Sequence, residues 1–339
     1  MSKYLIKPKQ MRTIEFKSPG DYEVLKVVDK AIPDPKNGEL LVKVTIAAVN
    51  SVDNTVRSGM LPKSYGPVIL GNEGVGIVVT GNGQFPEGTR VMISCFTTGG
   101  QIRGIYVDGV WQEYLIVSPD ELIAIDDSIS DEEAAAFPVS FFSAQACLNK
   151  AEFKAGKTVL SLAAGGGVGN AGIQLARANG ASLVITTAGS ASKAESARAR
   201  GIANVIDLSS EKISEGVARL TEGKGVDIVI DSVGGDLTGD ALQALAREGI
   251  LVAIGYSAGR TFNAKITDFV WKGIQMRGQS LNGWFDRRAE KAVWQQIMPL
   301  FNAGQVKPIV AKVFDAENVA EAQRYLMEAR PFGKVLIKF

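Results

Sequence analysis

The chain of 339 residues has no histidine and only two cysteines, Cys95 and Cys147. Without histidine there is no imidazole general base, no Ser-His-Asp triad and no His-rich zinc site. A zinc ion would need both cysteines to converge with carboxylates, and no pair has C-x-x-C spacing. No metal is therefore expected. So few thiols exclude a disulfide framework and fit a reducing, cytoplasmic compartment. Charge of one sign is also missing, with 37 basic against 36 acidic residues. No basic block exists to hold a nucleic-acid backbone or an anionic membrane surface. No apolar run approaches the ~18 residues of a membrane span. The opening MSKYLIKPKQMRTIEF has no apolar signal-peptide core. Neither nucleic acid nor membrane is expected as a partner.

Glycine, by contrast, is abundant at 37 residues, well above the usual rate of about 7%. Many tight turns or close backbone approaches follow from that. The length suits two domains on the prior of about 100–200 residues each. The first ~130 residues read as short strands broken by Gly, Pro and Asn, the pattern of a β-barrel-like unit. LLVKVTIAAVN alternates, and GNEGVGIVVTGNG, GTRVMISCF and GVWQEYLIV follow as further strands. The pattern changes near Ser130, where Ser130 and Glu133 form a capping box that starts a helix. Strands and helices then alternate, TVLSLA, SLVITT, NVIDL, GVDIVIDSVGG and GILVAIGY being the strands. Such β-α steps specify a parallel sheet covered on both faces, the doubly wound nucleotide-binding architecture. The helix and strand of VAEAQRYLMEARPFGKVLIKF are expected to return to the first domain.

SLAAGGGVGNAGIQLA is the densest glycine cluster. Ala164, Gly166 and Gly169 fit A-x-G-x-x-G, the dinucleotide fingerprint, between a strand and a helix running from Val168 to about Asn179. The small first residue permits the turn, Gly166 admits the pyrophosphate, and Gly169 packs helix against strand. Gly167, Val168 and Gly169 would offer free amides at the positive end of the helix. An NAD site places Asp or Glu about 20 residues on, to hold the ribose hydroxyls. Here no carboxylate occurs from Val184 to Lys193. Ser190, Ser192 and Lys193 instead suit a 2′-phosphate, so NADPH (NADP+) is the expected cofactor. Thr187 and Ser232 are placed in the same cofactor set.

The segments VNSVDNTVRSG, LGNEGVGIVV, GTRV, the glycine turn, GKGVDIVIDSVGG and GKVLIKF together carry a resemblance over essentially the whole chain. They resemble the zinc-free quinone oxidoreductase, zeta-crystallin-like branch of the medium-chain dehydrogenase/reductase family. In zinc-dependent members, metal ligands fall at positions matching Ser51 and Asn72, which are empty of ligand chemistry here.

The resemblance implies an α/β fold with a GroES-like β-barrel catalytic domain (residues 1–132 and 304–339). A Rossmann cofactor domain spans residues 133–303, and the active site lies in the cleft between them. It also implies a homodimer and hydride transfer to a quinone or to the C=C bond of an α,β-unsaturated carbonyl compound. Asn50 and Asp53 match an N-x-x-D near the nicotinamide, and Ser143 stands where most members have threonine. Gly255 and Tyr256 match a loop over the cofactor, and Arg330 an arginine turned toward the adenosine phosphate. Tyrosines of some quinone reductases fall instead at Thr55 and Leu208.

Stabilising the developing enolate falls to hydrogen-bond donors such as Asn50, Ser143, Tyr65 and Tyr256. Tyr256 is the first candidate proton donor and Tyr65 the second, the other reading being that both are aromatic wall residues. Asp53 is either a base or a structural hydrogen-bonding residue. Phe96, Phe141 and Trp284 are candidates for an apolar pocket, aromatics in such places being as often simple core. Two alternatives stay open: an enoyl-thioester reductase with a basic rim from Arg57, Lys63, Arg287 and Arg288, or a non-catalytic NADPH-binding protein, crystallin-like or RNA-binding.

Overall fold

The computed structural model describes residues 9–61, 69–281 and 287–339. Two compact units emerge, one of Met1–Val139 with Val310–Phe339 and one of Ser140–Ile309. Both junctions lie later in the chain than the sequence places them. The reason is visible at the first: the Ser130-capped helix, expected to open the cofactor domain, packs on strands of the first unit.

In chain order, β1 (Gln10–Glu15) and β2 (Lys26–Ala31) pair as a separate antiparallel ribbon. Then come β3 (Leu40–Val49), α1 (Ser51–Arg57), β4 (Gly74–Thr80), β5 (Arg90–Ile93), β6 (Tyr114–Val117) and β7 (Leu122–Ala124). The capped helix is α2 (Asp131–Ala136), with Glu133 N–H donating to the Ser130 hydroxyl at 3.2 Å. It is followed by α3 (Pro138–Lys150).

The second unit alternates as β8 (Thr158–Ser161), α4 (Gly167–Ala178), β9 (Leu183–Ala188), α5 (Ala191–Ala199), β10 (Val205–Asp207), α6 (Ile213–Leu220) and β11 (Val226–Asp231). It continues with α7 (Asp236–Gln243), β12 (Leu245–Ala253), α8 (Ile266–Lys272), β13 (Gln275–Gly278) and α9 (Arg287–Asn302). The chain returns to the first unit as β14 (Val310–Asp315), α10 (Val319–Arg324) and β15 (Lys334–Lys338).

The first unit carries a seven-stranded sheet in the order β14-β15-β3-β4-β5-β7, with β6 also paired to β3. The returning strand β15 runs antiparallel to β3, Val335 opposite Val49, as the apolar run VLI leads one to expect. Its core gathers Phe16, Val42, Val49, Trp111, Val335 and Ile337, all essentially buried. The second unit is a six-stranded, wholly parallel sheet in the order β10-β9-β8-β11-β12-β13. This is the 3-2-1-4-5-6 order of dinucleotide-binding folds, with its switch point beside β8. The turn from α7 to β12 is tight: α7 stops at Gln243 and β12 already begins at Leu245.

Candidate active site

The glycine turn leaves β8 at the switch point and enters α4, one residue earlier than the periodicity predicts. Its backbone is pinned from β9: the Ala163 amide donates to the Thr187 hydroxyl at 3.0 Å and the Ala164 amide to the Thr187 carbonyl at 2.9 Å. Ala163 is thereby held at φ +65°, a conformation that costs energy for a residue with a Cβ. Thr187 is 2% exposed and its hydroxyl is spent on the turn, so it supports the cradle from behind.

Gly169 has no room for a side chain, since a Cβ would lie 2.1 Å from the Leu162 carbonyl oxygen. Gly166 differs. It sits at φ −80°, ψ 148°, which any residue adopts, and a Cβ there would come no nearer than 3.4 Å to the protein. Nothing in the chain requires glycine at 166; an approaching pyrophosphate would. Beside it the amides of Gly167, Val168 and Gly169 occupy the first turn of a 12-residue helix, where no carbonyl of the same helix reaches them. The turn therefore fits a dinucleotide pyrophosphate.

At the end of β9 the chain enters α5 through Ser190, whose hydroxyl accepts from the Lys193 amide at 3.4 Å. Among the described residues Lys193, half-buried, forms no ion pair. The loops after β11 and β12 are equally tight. Asp231, fully buried, accepts from the Val233 and Gly234 amides at 2.9 Å each. A Cβ on Gly255 would fall 2.0 Å from the Ser232 carbonyl oxygen, so glycine is obligatory there. The Ser232 hydroxyl turns to the Leu162 carbonyl at 3.4 Å. Tyr256 beyond it is 46% exposed.

In the first unit, Asn50 stands where β3 ends and α1 begins. Two residues the sequence reading did not single out hold it. Lys334, at the head of β15, donates to Asn50 Oδ1 and, at 2.6 Å, to Glu73 Oε1; Asn50 Nδ2 donates to the same Glu73 oxygen at 2.9 Å. Glu73 Oε2 accepts from the Val139 amide at 2.5 Å. Glu73 is 0% and Lys334 5% exposed. The available signal was a lone Glu in LGNEGVG and a lone Lys opening KVLI, opposite charges at the edges of apolar strands.

Asp53 is fully buried, its two oxygens accepting from the Asn50 amide at 2.7 Å and the Gly71 amide at 3.0 Å. It secures the start of α1 and faces no solvent, which supports the structural reading over the base. Burial outweighs these two bonds and the nearby Lys334 charge and pushes its pKa up to about 7. The unfolded carboxyl ionises near 4, so between pH 4 and 7 the folded state keeps a proton that the unfolded state has lost. Stability should therefore fall as pH rises through that window, by up to about 1.4 kcal/mol per pH unit, and level off above it. Melting curves of the wild type and Asp53→Asn between pH 4 and 8 check this. The variant is less stable throughout but lacks that slope, and parallel curves would contradict the assignment.

Other expectations are revised. Phe96 and Phe141 are each 1% exposed, packed in the interior, and so offer no pocket wall. Ser143 lies in α3 at 2% exposure. Arg57 is buried, donating to the Gly20 carbonyl and to Asn54 Oδ1, so it supplies no basic rim. Arg330 is exposed at φ +47°, just past the last helical turn. Tyr65, Lys63 and Trp284, and the side chain of Arg287, lie outside the described residues.

Residues 36–127 match the alcohol dehydrogenase GroES-like domain and residues 167–303 the zinc-binding dehydrogenase family. The quinone oxidoreductase of Salmonella typhimurium is 33% identical over 330 residues, 95% of either chain. The chain belongs to the quinone oxidoreductase branch of the medium-chain dehydrogenase/reductase family.

A solved structure described as an NAD-dependent alcohol dehydrogenase superimposes with a TM-score of 0.87 at 31% identity, covering 97% of this chain and 100% of that one. The JamJ enoyl reductase superimposes with a TM-score of 0.80 at 28% identity, covering 97% and 99%. As a member of this branch, the protein is an oxidoreductase of small molecules that works with a nicotinamide cofactor. Despite the second family's name, no group of three or more His, Cys, Asp or Glu among the described residues is placed to hold a metal ion. Nor is any helix among them long and apolar enough to cross a membrane.

Proposed function

We propose that the protein is an NADPH-dependent reductase of quinones or of the C=C bond of α,β-unsaturated carbonyl compounds. The observation that carries the choice of NADPH is the carboxylate-free entry to α5. Ser190, Ser192 and Lys193 cluster at that helix start, where an acid would repel a 2′-phosphate. The relatives' names support the acceptor class: one is a quinone oxidoreductase and one an enoyl reductase.

When bound, the nicotinamide supplies the hydride. Gly166 would give the pyrophosphate room, the amides of Gly167, Val168 and Gly169 would donate hydrogen bonds to it, and Gly255 keeps its loop close to Ser232. The chain's chemical task is then to steady the negative charge that collects on the acceptor's oxygen. Asn50 Nδ2, a donor fixed before the acceptor arrives, suits that role. The exposed Tyr256 hydroxyl is the candidate proton donor to the reduced product. Two buried cysteines, neither of them in a disulfide, support a reducing compartment such as the cytoplasm.

An acceptor panel tests the reading. NADPH oxidation is expected with 1,4-benzoquinone or 2-cyclohexenone, and its absence with both, and with crotonyl-CoA, would overturn it. Lys193→Asp should lower the ratio of kcat/KM for NADPH over NADH by roughly 10–100-fold, the loss of one charged contact and the gain of a repulsion. An unchanged ratio removes Lys193 from the phosphate site.

A homodimer joined through the second unit is the expected assembly. Among the described residues strand β13 is the last of its sheet, and Ile266, Val270 and Trp271 of the neighbouring α8 are 73%, 71% and 71% exposed. Such an edge beside an apolar patch invites pairing with a like edge. Sedimentation should give twice the 36.0 kDa chain mass, with Trp271→Glu shifting it toward one chain. A monomeric wild type would refute the dimer.

A further inference from the structure

We propose that Glu73 and Lys334 are positioning residues that lock the Asn50 side-chain amide in one orientation, so that one of its N–H bonds is always presented outward. The inference rests on Asn50 being the hydrogen-bond donor to the acceptor, as proposed above.

The strand register brings the three groups together. Asn50 follows Val49, the last residue of the central strand β3, and Val49 pairs with Val335 of β15. Lys334 therefore enters from one side of β3. Ala48 N–H donates to the Glu73 carbonyl at 3.1 Å, so Glu73 enters from the other side, just ahead of β4. Asn50 is held between them and is the half-buried member of the trio, the other two being buried.

An asparagine amide has two ends of similar shape and opposite hydrogen-bonding character, and only its partners decide which way it points. A lysine ammonium donates and cannot accept, so Lys334 demands the oxygen. The Glu73 carboxylate accepts and demands the nitrogen, and its second oxygen is itself fixed by the Val139 amide. Either partner alone selects the orientation; together they make the flipped amide pay twice, with two buried charges left facing the wrong ends. The Asn50 Nδ2 group has two hydrogens, and Glu73 takes one. The second is the one directed to a ligand.

A core ion pair with no part in the reaction would need none of this, and the difference is measurable. Lys334→Met/Glu73→Gln removes both charges at once and leaves a neutral amide at 73, whose oxygen is claimed by the Val139 N–H and whose NH2 then faces Asn50 and favours the flipped orientation. In the full-length protein, with folding verified by thermal melting, NADPH affinity should stay within about twofold, because the glycine turn is untouched. The kcat/KM for 1,4-benzoquinone should fall roughly 10–100-fold, as a mis-set donor costs. Asn50→Ala should show a loss of similar size, and adding the double substitution to it should cost less than about twofold more, the non-additivity of groups acting as a unit. Lys334→Arg, which keeps a donor, should retain most activity.

Losses that multiply in the triple variant would overturn the positioning role. So would a well-folded Lys334→Met/Glu73→Gln with wild-type kcat/KM beside an impaired Asn50→Ala. Wild-type kcat/KM in Asn50→Ala would instead remove Asn50 as the donor and take this inference with it.

Discussion

Replacing Lys334 with methionine alone is expected to destabilise the protein by about 3–5 kcal/mol, since it strands the Glu73 carboxylate in the interior. Glu73 is 0% exposed and its oxygens accept from Lys334, Asn50 and the Val139 amide. Methionine fills nearly the same volume, so packing is kept and the loss is electrostatic. The cost of an unpaired buried charge exceeds the net worth of the pair, because the pair had already met much of its own desolvation. Lys334→Met/Glu73→Gln should therefore be more stable than Lys334→Met, although it carries one more substitution. Thermal melts check both statements: a drop on the order of 10 °C for the single variant, with partial recovery in the double. Equal melting temperatures for the wild type and Lys334→Met would mean that the contact between Lys334 and Glu73 contributes nothing to folding.

Gly166→Ala should weaken NADPH binding by about 10–100-fold, roughly 1–3 kcal/mol, while moving the melting temperature of the unliganded protein little. The separation of the two effects is what makes the substitution informative. The backbone at 166 is ordinary extended chain, and an added Cβ meets nothing closer than 3.4 Å within the protein. The methyl group instead occupies space left for the ligand. Gly169→Ala should behave in the opposite way, with a large loss of stability, because its Cβ collides with the Leu162 and Ala163 carbonyls at 2.1 and 2.2 Å. Titration of NADPH by fluorescence and a melting curve of each unliganded variant separate the two cases. An unaltered dissociation constant for Gly166→Ala would place the pyrophosphate elsewhere.

The features of the chain differ in how far the sequence reveals them. The parallel sheet was readable because each strand and helix announces itself within a dozen residues, by period and by turn chemistry. The Ser130 capping box and the glycine turn are likewise local. Their assignment to a unit was harder: α2 has the sequence of a helix anywhere, and only its packing against β3, β4 and β15 ties it to the first unit. The Glu73–Lys334 pair lay out of reach altogether. Its members are 261 positions apart, and no periodicity spans that gap. Conversely, the sequence leaves Phe96 and Phe141 open between pocket and core, because aromatic character is the same on a wall and in a core. Burial alone separates the two, and burial is a property of the folded chain.

The path of the chain through the first unit has a consequence for how it is made. Strand β15 completes the sheet beside β3, yet the entire second unit is translated between them. On the ribosome, β6 can cover Leu40–Lys43 of that edge early, but Ile46–Val49 of β3 must wait unpaired while residues 140–309 emerge and form their own local β-α contacts. The second unit is thus able to fold first, from short-range pairings, and the first unit closes last across a long loop. Lys334 arrives with that closing strand. The lysine that donates to Asn50 is therefore delivered only when the sheet is complete, so in a half-made chain the glycine turn can form before the Asn50 side chain has its partner.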